Sequence, residues 1–236
     1  MVSNIDISNL YNNKIKWYNV TKDHWSKTEP TFKGMLGGNN MINQIDISTS
    51  RNIIDNLINK KFFKPSNALE LGAGIGRVTE NLLIEYFDDV TLVEQNKAFV
   101  DKAKEKLNYY TNKNNKLNIT YLEDSMQSIV DNSNISNKLY SCIWIQWCIE
   151  NIDDEDLLNI LNKCKLLLKE KGIVYIKENV VEDNEEVKIN NIDYSRVRND
   201  KLFKEIFKKA GLKVFKHIRH PEWPSDLMPV SIYILM

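Results

Sequence analysis

Asn67-Ala68-Leu69-Glu70-Leu71-Gly72-Ala73-Gly74-Ile75-Gly76-Arg77 decides the fold. Its first five residues read as a short buried strand. Its second half spends three of the chain's eight glycines within five positions. Residues 75–87 then carry apolar positions at helical spacing. A strand that turns through glycines into a helix lets a ligand approach the backbone closely. The spacing is G-x-G-x-G. A dinucleotide fingerprint, G-x-G-x-x-G, would need glycine at position 77, where this chain has Arg77. A bare turn without a ligand stays open on the glycines alone.

Working outward, residues 90–94 form a second strand that ends on Glu94. A carboxylate there can accept hydrogen bonds from both hydroxyls of a ribose. A helix over 97–108 follows, then strands over 117–122 and 140–147. Next come a helix over 153–169, a strand over 173–177, a helix over 199–210, and strands near 212–218 and 230–235. Gly172 and Gly211 fall just after helical stretches, where C-cap glycines belong. Upstream, residues 5–26 predict one or two helices and residues 48–60 an amphipathic helix. Alternating strands and helices predict an α/β, doubly wound, seven-stranded Rossmann-like sheet. The last two strands have no helix between them, which predicts an antiparallel edge. Residues 1–60 read as an N-terminal helical extension packed on a core of residues 61–236, one structural domain overall.

Composition narrows the function. Thirty-two Lys and Arg balance thirty-two Asp and Glu across 236 residues. A nucleic-acid binder usually shows a basic excess, so no nucleic-acid partner is expected. Three Cys and three His have no metal-site spacing, so no metal is expected. The N-terminal residues do not read as a signal peptide, and the apolar runs are strand-sized, so no membrane partner is expected. Odd, scattered cysteines suit a reducing compartment, which places the protein in the cytoplasm and/or nucleus. A monomer is expected.

Residues 66–180 resemble the core of a class I S-adenosylmethionine (SAM) methyltransferase. Glu70 ahead of the glycine loop and the closing antiparallel strands carry that resemblance. The flanking segments narrow it: His24-Trp25, Gly34-Met35-Leu36-Gly37-Gly38, Ile45-Asp46-Ile47-Ser48, Ile143-Trp144-Ile145-Gln146-Trp147, Ile176-Lys177-Glu178-Asn179, and Ile192-Asp193-Tyr194-Ser195. Together they resemble the eukaryotic protein N-terminal α-amine methyltransferases. That family methylates proteins whose N-termini begin X-Pro-Lys or X-Pro-Arg after Met removal. The resemblance covers about residues 15–236.

The resemblance implies SAM as cofactor, S-adenosylhomocysteine as product and basic N-terminal protein tails as partners. It implies cofactor contacts from Gly72, Gly74, Arg77, Glu94, Gln95, Asn96, Met126, Gln127 and Gln146, with Arg77 placed to meet the methionine carboxylate. It implies a peptide channel from Trp25, Leu36, Gly37, Trp147, Asn179, Asp193, Ser195 and Leu227. Gly34–Gly38 is expected to form a lid. Glu94 stands where the family often has Asp, and Asn151 where it often has a His implicated in proton removal. Asparagine is no base at neutral pH.

The residue types suit the chemistry. Methyl transfer from a sulfonium is an in-line displacement, so positioning supplies most of the catalysis. An α-amine has a pKa of about 7.7–8.0, so a modest base suffices. Asp193 is the candidate base and amine anchor, and Asn179 the partner of a peptide carbonyl. Trp147 offers a flat face for the proline. Trp17 and Trp144 read as core. Two acidic runs, Glu150–Asp156 and Glu178–Glu186, predict an acidic mouth that draws a basic tail. A small-molecule N-methyltransferase and a non-catalytic SAM-binding scaffold stay open as alternatives.

Overall fold

The computed structural model describes residues 13–236. The expected helical start at residues 5–12 lies outside them. Lys14–Ser26 forms α1, capped by the Asn13 side chain, which accepts from the Lys16 amide. Ile42–Asn59 forms α2. It starts six residues before the predicted 48–60, because Asp46 and Ser50 lie on its buried face and break the apolar pattern.

The strands are β1 (Ala68–Leu71), β2 (Asp89–Glu94), β3 (Asn118–Glu123), β4 (Tyr140–Gln146) and β5 (Leu168–Asn179). A two-stranded pair, β6 (Lys188–Ile189) and β7 (Arg196–Val197), precedes β8 (Val214–Arg219) and β9 (Val230–Leu235). The connecting helices are α3 (79–86), α4 (Lys97–Lys113), α5 (Asp154–Leu167) and α6 (Asp200–Lys209). The first turn of α3, Thr79–Leu83, is a wide π-type turn.

The main sheet has the order β3-β2-β1-β4-β5-β9-β8. Strands β1 to β5 are mutually parallel, and β9 runs antiparallel to both β5 and β8. The doubly wound fold therefore stands as predicted, with one refinement. The antiparallel strand is last in sequence but not at the edge. All six residues of β9 are buried, whereas β8 is partly exposed throughout. The apolar strand takes the interior position and the charged one takes the edge.

Alternation along the strands builds a core on each face of the sheet. Leu69, Leu71, Ile143 and Ile145 pack with Leu157, Ile160 and Leu161 of α5 and Phe203 and Phe207 of α6. Ala68, Cys142, Trp144 and Tyr175 pack on the other face with Ile53, Ile54 and Leu57 of α2. Trp144 stacks on Tyr175 at 3.6 Å between ring centroids, so it is core as predicted. Trp17 is also core. It is buried, and its indole N–H donates to the Tyr194 carbonyl at 2.8 Å. Thr21 Oγ1, one turn on, donates to the Asp193 carbonyl at 2.9 Å. These two bonds seat α1 on the loop between β6 and β7.

Candidate active site

A cavity of about 480 Å³ opens at the carboxyl ends of β1, β2 and β4, where doubly wound sheets bind ligands. Gly72, Gly74, Arg77, Glu94, Gln95, Met126, Gln127 and Gln146 line it, joined by Trp25 and Trp147. Gly72, Gly74 and Gly76 all adopt positive φ. At Gly72 a Cβ would lie 2.6 Å from the Cys148 Cβ, so no other residue fits that turn without displacing the next crossover.

Glu94 closes the loop from the far side. One carboxylate oxygen accepts the Gly74 amide at 2.9 Å and the other accepts the Asn96 amide at 2.8 Å. Burial raises its pKa, against the pull of these amide bonds. Glu94 thus shapes the glycine loop as well as facing the cavity. Asn96 does not line the cavity. Its side chain caps α4 by accepting from the Ala98 amide, and donates to the Trp25 carbonyl at 3.1 Å. Through that bond the end of α1 is fastened beside the cavity.

Arg77 is held from below. Its Nη1 donates to Asn43 Oδ1 at 2.9 Å and to Asp46 Oδ2 at 2.7 Å, both on α2. Asp46 also accepts from Gln146 Nε2 at 2.9 Å and pairs with the fully buried Lys177 ammonium. Lys177 Nζ further donates to the Asp46 carbonyl and to Ser50 Oγ. Burial would raise the Asp46 pKa, but Lys177 and Arg77 overcome it and hold the carboxylate below its usual range. Two cations share one anion here, and the Arg77 guanidinium of this network lines the cavity. Gln146 completes the network, its Oε1 accepting from the Trp144 indole at 3.0 Å. The polar breaks in the apolar faces of α2 and β5 were the sequence signals for Asp46 and Lys177.

Trp147 forms the next wall. It adopts φ of +51°, uncommon for a bulky residue, which turns its ring out of the strand. The Arg77 guanidinium lies 5.2 Å from its ring centroid, and Trp223 packs at 5.9 Å. Its indole N–H is buried and has no hydrogen-bond partner among the described residues. Met35, from the Gly34–Gly38 segment, reaches the cavity and covers Gly74, where a Cβ would sit 2.8 Å from its sulfur. Leu36 is buried, and Gly37 and Gly38 turn through positive φ. Leu36, Gly37 and Leu227 do not line the cavity.

Neither do Asn179, Asp193 and Ser195; Asn179 and Asp193 lie near Glu150 in the Ile149–Asn151 turn that follows Trp147, and Ser195 bonds to Asp193. Asp193 Oδ1 accepts both the amide (3.0 Å) and the hydroxyl (2.8 Å) of Ser195. Asn179 and Asp193 both act on the Glu150 carboxyl. Asn151 does line the cavity, and its Oδ1 is buried without a hydrogen-bond partner among the described residues.

The acidic runs differ from the expected open mouth. Lys14 pairs with Asp153, Glu155 and Asp156. Arg196 and Arg198 pair with Asp154. Arg219 meets Glu182 and Lys188 meets Glu185. Most of these carboxylates are neutralised by the chain's own cations, because folding brings Lys14, Arg196 and Arg198 onto the start of α5.

The model of the AdoMet dependent proline di-methyltransferase family matches residues 13–236. The chain belongs to that family. Alpha N-terminal protein methyltransferase 1 of Schizosaccharomyces pombe is 36% identical over 225 residues, spanning 94% of this chain and 96% of that one. N-terminal Xaa-Pro-Lys N-methyltransferase 1 of Mus musculus is 31% identical over 230 residues, spanning 97% and 99%. A solved SAM-dependent methyltransferase from Leishmania major superposes with a TM-score of 0.83 at 31% identity, covering 93% of this chain and 83% of that one. This methyltransferase uses SAM as its cofactor. Its cavity fits that molecule. The Arg77 guanidinium suits a carboxylate, the Glu94 carboxylate suits ribose hydroxyls, and Met126 and Gln127 line the same cavity.

Proposed function

We propose that this methyltransferase modifies the α-amine of protein N-termini that begin X-Pro-Lys or X-Pro-Arg once Met is removed. The observation that carries the reading is Trp147. A strained aromatic residue lines the cavity beside Arg77 of the glycine loop, and its indole N–H has no partner among the described residues. A flat ring suits a proline side chain at little entropic cost, and the indole suits a peptide carbonyl. The relatives named above support the same substrate class.

Bound SAM supplies an electrophilic methyl group on a sulfonium. Arg77, braced by Asp46, holds a carboxylate at one end of the cavity, and Glu94 receives ribose hydroxyls. Trp25 and Trp147 border the acceptor. Asp193 anchors the amine, and Asn179 orients the first peptide group. With the amine lone pair aligned, positioning accounts for most of the rate. We place the protein in the cytoplasm or nucleus as a monomer that acts on protein tails without nucleic acid or membrane. Light scattering and cell fractionation test those points.

Mass spectrometry of a Ser-Pro-Lys-Arg peptide incubated with SAM and the protein tests the function. Methyl groups on the α-amine and none on the lysine are expected. Methylation of small amines but not of the peptide overturns the reading.

A further inference from the structure

Directly after Trp147 and Cys148, the Ile149–Asn151 turn carries a carboxyl group that the assigned chemistry leaves unused. Glu150 Oε1 is buried and has no hydrogen-bond partner among the described residues. Asn151 Oδ1, one residue on, is a second buried acceptor without a partner, and Asn151 lines the cavity. Two adjacent orphan acceptors, Asn151 on the cavity wall and Glu150 next to it in the turn, call for a ligand rich in N–H donors, because an unmet buried acceptor is costly. An ammonium group is such a donor, with three N–H bonds.

Glu150 does not stand alone. Its carboxyl lies against that of Glu178, the penultimate residue of β5. Glu178 is fixed from three sides: Oε2 accepts the Cys148 and Ile149 amides and Oε1 accepts the Asn179 amide, all at 3.1 Å. The other groups facing Glu150 are the Asn179 side chain, the Asp193 carboxylate and the Arg198 guanidinium. Arg198 is fully buried and donates to the Ile149 and Ile152 carbonyls, so it clamps the turn that carries Glu150.

Two carboxyls packed together and buried cannot both ionise freely, so the pair titrates as a unit. Burial raises both above the ordinary carboxylate range: Glu150 is pushed up to about 7 against the pull of hydrogen bonds with Asn179 and Glu178, and Glu178 goes well above its usual value, with the Glu150 charge adding to burial. One proton therefore stays with the pair at neutral pH, and a second binds reversibly.

We propose that Glu150, with Glu178 as its partner, is the proton acceptor for the substrate α-ammonium. The assignment rests on the amine substrate proposed above. In the step, one N–H bond of the ammonium breaks and its electron pair stays on nitrogen as the lone pair. The proton forms an O–H bond at Glu150 Oε1, and the carboxylate becomes neutral. After the product leaves, the proton passes to water. A free α-amine at about 7.7–8.0 stands within about one pK unit of this acceptor, so the transfer is nearly balanced. Asn151 accepts a hydrogen bond in the same place but cannot take the proton.

The test uses the full chain with SAM and a Ser-Pro-Lys-Arg peptide. Glu150→Gln is expected to lower kcat about a hundredfold near pH 7, a typical general-base loss, and to recover to within about tenfold of wild type near pH 9. There the amine has lost its proton to water before binding. A loss of the same factor at every pH marks a structural role and overturns the assignment, as does a wild-type kcat in the variant. A second measurement needs no variant. Infrared difference spectra of wild-type protein with S-adenosylhomocysteine are expected to gain a neutral-carboxyl band when the peptide is added; no gain overturns the assignment. If wild-type protein yields no methylated peptide, the substrate reading fails, and the proposal with it.

Discussion

Asp46 of α2 holds Arg77 of the glycine loop at 2.7 Å, with both side chains almost wholly buried. The same carboxylate pairs with Lys177 of β5, so one anion joins the N-terminal extension, the cofactor loop and the middle of the sheet. The extension therefore braces Arg77, a residue that lines the cavity. Asp46→Asn strips the charge that compensates two buried cations. The loss is expected to be about 3–5 kcal/mol in urea denaturation of the ligand-free protein. Asp46→Leu combined with Lys177→Met is expected to cost less than Asp46→Leu alone, because the orphaned ammonium goes too.

Glu94 receives two backbone amides and still faces the cavity. Glu94→Gln keeps the size but loses an acceptor and the charge. SAM affinity measured by calorimetry is expected to fall about 10- to 100-fold, the span of one or two hydrogen bonds to a charged group. An unchanged Kd would remove Glu94 from the cofactor site.

Glu70 lies under the loop and accepts from the Thr79 hydroxyl. Burial, the largest cause, pushes its pKa up to about 7 from an ordinary 4.5. Between those values the folded protein holds a proton that the unfolded chain has lost. Stability is therefore full below about 4.5 and falls as pH rises to about 7. Glu70→Gln is expected to gain on wild type across that window, by on the order of 3 kcal/mol at pH 8. Urea midpoints of ligand-free protein at pH 5 and pH 8 check the sign.

Asp193 has one oxygen committed to Ser195 and belongs to the acid group behind Trp147. Asp193→Asn is expected to reduce peptide methylation at least about tenfold more than Asn151→Ala, since only the first removes a charge that can anchor an ammonium. Comparable losses in a peptide assay would sink the assignment of the amine anchor.

The fold was largely legible because its signals are local. Period-two apolar runs, helix periodicity and glycines at strand ends belong to single segments. Residues such as Gly72, Glu94 and Met126 fell where one strand–loop–helix unit puts them. Start points were less legible: α2 hides its first turn and a half behind Asp46 and Ser50, polar residues that only a buried network explains. The small β6–β7 pair went unread, as two residues per strand carry no period.

The sequence by itself determined the strand order's ingredients, the glycine loop with an acid ending the next strand, and the family. Only the tertiary structure decided which charges stay available. Lys14 lies more than a hundred residues from the acidic start of α5 yet covers three of its carboxylates. Glu150 and Glu178 stand on separate elements, 28 positions apart, yet share one buried site. A charge count along the chain sees acids and bases as independent. Folding pairs some across the sheet edge and strips water from others, and the difference in solvation separates a neutralised surface run from a carboxyl poised to take a proton.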